Sequence, residues 1–133
     1  MKFFNFHLMP YRHADLDAIE KNGSAWVTFS NRHYDSKKGA ELYHEYLDQM
    51  ELADRLGFDF AWEVEHHFLE EYSHSSAPEV FLGAASQRTK RIRLGHGVVQ
   101  LTTNQPHRVA ERVAPSGGRQ LARSAAPPAR DLR

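Results

Sequence analysis

No cysteine occurs in the 133 residues, and that single absence removes disulfides, thiolate metal sites and a cysteine nucleophile together. Net charge is missing as well. Seventeen lysines and arginines balance seventeen aspartates and glutamates, so the whole chain has no bias toward nucleic acid or an anionic membrane. No apolar run approaches the roughly eighteen residues of a membrane span, and the opening Met1-Lys2-Phe3-Phe4-Asn5-Phe6-His7 turns polar too early for a signal-peptide core. These absences predict a soluble, cytoplasmic protein without nucleic-acid or membrane partners. Length sets one more bound: the chain suffices for one domain with a core, but is well short of the roughly 250 residues of a full (β/α)8 barrel.

What is present centres on Phe58-Asp59-Phe60-Ala61-Trp62-Glu63-Val64-Glu65-His66-His67. Period-two alternation predicts a strand with Phe58, Phe60, Trp62 and Val64 on one packed face and Asp59, Ala61, Glu63 and Glu65 on the other. The strand delivers Glu65-His66-His67 to its C-terminal end, where parallel α/β sheets and barrels build their sites.

The rest of the chain alternates around it. Residues 3 to 8 read as a first strand, stopped by Met9-Pro10 because proline cannot donate to a ladder. Residues 11 to 36 show no sustained period and read as a long loop, either a substrate lid or a packed excursion. From 37 to 56, Leu42, Tyr43, Tyr46, Leu47, Met50, Ala53 and Leu56 recur at helical spacing; Asp35 or Ser36 can cap the start and Gly57 the end. A helix between two strands is a crossover, so the strands are expected to be parallel. Ala77-Pro78-Glu79 opens a second helix, closed by Arg88-Thr89-Lys90-Arg91. Ile92 to Leu101 reads as strand three, with Gly95 and Gly97 marking a close approach to the backbone. A third helix starts near His107. The sum is α/β, βαβαβα, a parallel layer or barrel.

At Pro115 the composition changes. Residues 117 to 133 hold Arg119, Arg123, Arg130 and Arg133, four alanines and no aromatic residue. Residues 115 to 133 carry four basic and one acidic side chain, leaving 13 basic and 16 acidic before them. An arginine-rich tail can bind nucleic acid or an acidic partner; the reading adopted is a disordered tail, 115–133, after a domain of residues 1–114.

Three chemistries fit Glu65, His66 and His67. One is a metal-dependent hydrolase site, with Glu65 and His67 on one face and His7, His74 or His96 completing the set. Another is acid–base work by a histidine supported by a carboxylate. The third is structural, with the carboxylate and imidazoles satisfying each other at a strand end.

Trp62-Glu63-Val64-Glu65-His66-His67-Phe68, then Ala77-Pro78-Glu79, Gln87-Arg88-Thr89, Ile92-Arg93-Leu94-Gly95 and Arg108-Val109-Ala110-Glu111, in this order and spacing, resemble the N-terminal part of the bacterial luciferase-like, flavin-dependent monooxygenases. The resemblance covers about residues 1 to 114. It implies the first three or so units of a TIM (β/α)8 barrel. It also implies reduced FMN at the C-terminal mouth, with O2 as co-substrate, oxygenating a small organic substrate. A flavin reductase and a homo-oligomer are compatible partners. His66 matches the first histidine of the family's Glu-His-His and is the implied catalytic residue with Glu65; His67 and His7 are implied cofactor neighbours. Gly97 and Val98 match the position lying against the flavin ring, often through a cis peptide; no metal is implied.

Two departures stand out. Asn104-Gln105-Pro106 replaces a common Asn-His-Pro, and Pro115 interrupts the helix before Ser116-Gly117-Gly118-Arg119, where relatives continue it. An Arg/Ala/Pro-rich tail is what a small deletion and frameshift in GC-rich coding DNA produces. This predicts a truncated barrel lacking the phosphate-binding loops of later strands, inactive or acting only by association.

Overall fold

A computed structural model describes residues 1–24, 26, 28–69 and 72–114; the expectations for residues 115–133 lie outside it. Three four-residue strands form a parallel sheet in the order β1-β2-β3, with β1 Phe4–His7, β2 Phe60–Glu63 and β3 Arg93–His96. The register sets Asn5, Ala61 and Leu94 in one row, and Phe6, Trp62 and Gly95 in the next. The last row is His7, Glu63 and His96. The strands are shorter than the sequence suggested, because pairing stops where the chain turns out into the rim.

Between β1 and β2 run α1, Leu16–Asn22, and α2, Ser36–Arg55; α3, Pro78–Arg88, joins β2 to β3, and helical backbone resumes over 106–114. The expected caps are in place. The Asp35 carboxylate accepts from the Lys37 and Lys38 amides at 2.9 and 3.3 Å, and Gly57 takes a left-handed φ of 85° after the last turn. The segment 11–36 is not the loop expected. Asp15 caps α1, whose seven residues span too few turns to display a period, and Ser30 caps a 3-10 turn, Asn31–His33.

Both long helices pack on the side of the sheet carrying Ala61 and Leu94. Leu42, Tyr46 and Met50 of α2 meet Phe81, Leu82 and Ala85 of α3 over these small and medium residues, and Met9, Tyr11 and Ile92 close the core. Burying such side chains removes roughly 25 cal/mol of unfavourable hydration per Å². At the far end of α2, Arg88 reaches Asp48 and Glu51 at 2.5 and 2.9 Å, tying α3 to α2.

The alternation in β2 is observed, but the packed face is the other one. Ala61 and Glu63 are fully buried, whereas Trp62 is 39 % and Phe6 46 % exposed. A helix approaches a sheet most closely over small residues, so the crossovers settled on the Ala61 side. Phe4, Phe6, Phe60 and Trp62 line the opposite side, with the Phe4 and Trp62 rings stacked at 5.2 Å.

Candidate functional site at the carboxyl end of the sheet

Beyond Glu63 the chain leaves the ladder and is held by a second segment. The His66 amide donates to the Ser75 carbonyl at 2.7 Å, and the Ser75 hydroxyl donates to the Val64 carbonyl at 2.6 Å. The His74 amide in turn donates to the Met9 carbonyl at 3.1 Å. Residues 73–75 therefore clip the end of β2 to the end of β1, and the backbone of His66 has a defined place.

The His66 ring lies beside Tyr72 and Trp26, at centroid distances of 5.6 and 6.4 Å. Its buried Nδ1 has no hydrogen-bond partner among the described residues. Burial, and secondarily the nearby His67, hold the imidazole below its ordinary pKa, so it is neutral near pH 7. A neutral imidazole with an open nitrogen can accept a proton or a hydrogen bond.

Glu65 does not support His66. Its Oε1 lies 2.9 Å from Nε2 of His67, whose side chain is 45 % exposed. Next comes Phe68 with a φ of 59°, uncommon for a residue with a Cβ, and with its ring exposed. A cavity of about 30 Å³ lined by His66, Phe68, Leu69, Ser73, His74 and Ser76 has room for a water. His74 is stacked on Tyr43 at 5.0 Å with neither ring nitrogen partnered among the described residues, and burial takes its pKa down to about 4.

His7 lies under the helices. Its ring meets Tyr46 at 4.6 Å and Phe81 at 6.2 Å; Nε2 faces Gln49 Oε1 at 3.2 Å, and Nδ1 accepts from the Met9 amide at 3.2 Å. Nδ1 is also 3.3 Å from Glu63 Oε2. The Met9 amide uses the Nδ1 lone pair, and neither carboxylate oxygen of Glu63 has a hydrogen bond of good geometry among the described residues. Burial accordingly pushes the Glu63 pKa up, more than His7 and Ser75 bring it down.

Gly97 and Gly95 mark a close approach, as expected, and the groups approaching are the protein's own. A Cβ on Gly97 would come within 2.9 Å of the Phe6 ring and 3.2 Å of the Glu63 carbonyl oxygen, and one on Gly95 within 3.2 Å of Trp62. The described residues contain no cis peptide bond, so Gly97–Val98 is trans; the Val98 side chain is exposed.

His96 points toward Glu65, Glu79 and Arg112, with Arg112 paired to Glu79 at 3.0 Å. Burial lowers its pKa against the pull of Glu79 and Glu65. Among the described residues no three His, Asp or Glu side chains come together to hold a metal ion, so Glu65, His67 and His96 are not assembled as a hydrolase centre. Ser75, Tyr72 and Trp26 were not singled out from the sequence as site residues. Their contacts with the strand end span long sequence separations or sit in segments without period.

The strand-end Glu-His-His of a parallel α/β sheet defines a class. The model of the luciferase-like monooxygenase family matches residues 24–115, and the chain belongs to that family. It is 46 % identical over 70 residues to limonene 1,2-monooxygenase of Rhodococcus erythropolis, a match covering 53 % of this chain and 18 % of that protein. Among solved structures it is similar to monooxygenase RslO1 from Streptomyces bottropensis, at TM-score 0.64 and 31 % identity, over 92 % of this chain and 31 % of the other. It shares the fold of the oxygenating constituent of 3,6-diketocamphane monooxygenase from Pseudomonas putida, solved in complex with FMN. That match has TM-score 0.60 and 17 % identity, over 92 % and 28 % of the two chains. The chain thus spans less than a third of the length of these proteins.

Proposed function

We propose that this chain carries the histidine-bearing rim of a flavin-dependent monooxygenase site, in which reduced FMN and O2 oxygenate a small organic substrate. The residues present suit a flavin. Phe6, Trp62, Gly95 and Gly97 offer a flat apolar wall on the exposed side of the sheet, and His66 offers an unpartnered nitrogen at the strand end. The observation that carries the reading is that open, neutral imidazole, held by the Ser75 clip.

When bound, the reduced flavin supplies the oxygen chemistry, and the protein orients it and excludes water. In this reading His66 is the catalytic residue, taking or holding a proton at Nδ1, and it is neutral at working pH. Glu65 fixes His67 at the rim, and Gly97 and Val98 would help to hold a bound flavin. His7 contributes from below, through the Met9 amide and Gln49, by fixing where β1 ends. Trp26 and Tyr72 shield His66 from solvent. A flavin reductase supplying reduced FMN is the expected partner.

Titrating the purified chain into FMN and following flavin fluorescence tests this. Saturable quenching in the micromolar range is expected, with His66→Gln retaining binding and altering the flavin absorption band. Unquenched flavin at high micromolar protein defeats the proposal for this chain.

A further inference from the structure

At the opposite end of the sheet, the amino ends of β2 and β3, a recess of about 410 Å³ is lined by Lys2, Phe58, Asp59, Phe60, Arg91 and Arg93. That volume falls in the range of small-molecule pockets, roughly 300–1,000 Å³. Its cations are unevenly compensated. The Lys2 ammonium and the Arg93 guanidinium each lie 5.7 Å from the centre of the Phe60 ring, and neither has a hydrogen-bond acceptor or carboxylate partner among the described residues. Arg91 is tied to Asp54, donating to its carbonyl at 2.9 Å and lying near its carboxylate. Among the described residues the carboxylate lining the recess is Asp59, which accepts from the Phe3 amide at 2.8 Å. Lys2 and Arg93 thus sit over one aromatic ring with no carboxylate bonded to either among the described residues, and an oxyanion placed between them would relieve their mutual repulsion.

We propose that this recess binds a small organic anion with a flat aromatic body and one oxyanion group, a class that includes aryl carboxylates. The Arg93 guanidinium is a planar fork matched to an oxyanion, and Lys2 adds a second donor. The half-buried faces of Phe58 and Phe60 take the apolar body. The site is separate from the His66 rim, since the two lie at opposite ends of the same strands, and it does not rest on the flavin reading.

The test is a titration of the folded chain with benzoate, benzamide and inorganic phosphate, followed by amide shifts in an NMR heteronuclear spectrum. Benzoate is expected to bind, to shift residues 58–60 and 91–93, and to weaken as salt rises. Benzamide and phosphate are each expected to bind about tenfold more weakly, one lacking the charge and the other the ring. The Lys2→Gln/Arg93→Gln double variant, checked for folding by circular dichroism, is expected to lose about tenfold in benzoate affinity. Equal affinity for benzamide or phosphate, or shifts that map elsewhere, overturns the proposal. Should the double variant fail to fold, salt-insensitive benzoate binding by the unmodified chain overturns it equally.

Discussion

The carboxylate of Glu65 engages His67 rather than His66, with 2.9 Å between Glu65 Oε1 and His67 Nε2. This leaves the middle histidine of the triplet without a counter-ion and sets the two imidazoles to different tasks. His67 lies against a carboxylate at an exposed rim, while the buried Nδ1 of His66 has no hydrogen-bond partner among the described residues.

One consequence is measurable by NMR titration of the imidazole ring protons. The pKa of His66 is held down first by burial and second by the charge of His67. Replacing His67 with Gln removes the second cause and leaves the first. The His66 pKa in His67→Gln is therefore expected to rise part of the way toward its ordinary value. An unchanged or lower value would show that His67 has no electrostatic hold on it.

Glu63 gives a pH signature of opposite sense to most carboxylates. Its folded-state pKa is raised, chiefly by burial. The unfolded chain therefore ionises first as pH climbs from the ordinary carboxylate value through the raised folded value, and folding stability falls across that window. Glu63→Gln keeps the shape and removes the ionisation. It is expected to flatten this decline and to be more stable by about 1 kcal/mol at pH 8. Urea midpoints of both proteins across the window decide it, and a variant with an undiminished slope rules Glu63 out as the source.

Much of this architecture is written locally. Asp35 and Gly57 bracket α2 within a residue of where capping chemistry places them, and a helix between two strands required their parallel pairing. The placement of Glu65-His66-His67 just beyond the end of β2 was legible in the same way. What could not be read is contact over distance. Alternation in β2 says that two faces differ, but only the docking of α2 and α3 decides that Ala61 and Glu63 are the covered pair. The Ser75 clip on Val64 and His66, and Trp26 beside His66, join segments with no common period.

Asp54 ties the end of α2 to the start of β3. Its carboxylate accepts from the backbone amides of Lys90, Arg91 and Ile92 at 2.8, 2.8 and 2.6 Å, fixing the turn into β3 onto the end of α2. Burial alone would raise its pKa, but the three amides outweigh burial and hold it low. A depressed folded pKa contributes stability above the unfolded value and loses it as pH falls through the folded value. Asp54→Ala is expected to cost about 3 kcal/mol at neutral pH. The cost should shrink as the solution is acidified below about pH 4. A loss under 1 kcal/mol in urea unfolding, or one that grows with acid, would contradict this account.

Two glycines separate packing from propensity. In α3 a methyl group on Gly83 meets nothing within 4 Å, so Gly83→Ala gains helix propensity without a clash and is expected to stabilise by about 0.5–1 kcal/mol. On Gly97 the same methyl would meet the Phe6 ring at 2.9 Å and the Glu63 carbonyl oxygen at 3.2 Å. The ring can turn, but the carbonyl belongs to the ladder and accepts from the Gly97 amide at 2.6 Å, so the strand end itself must shift. Gly97→Ala is expected to destabilise by about 1–3 kcal/mol. If the wall beside Gly97 is where flavin lies, the same substitution weakens FMN quenching while Gly83→Ala leaves it intact. Combining Gly97→Ala with Phe6→Leu, which vacates the nearer clash, should recover part of the stability. No recovery in thermal unfolding would place the strain wholly at the Glu63 carbonyl.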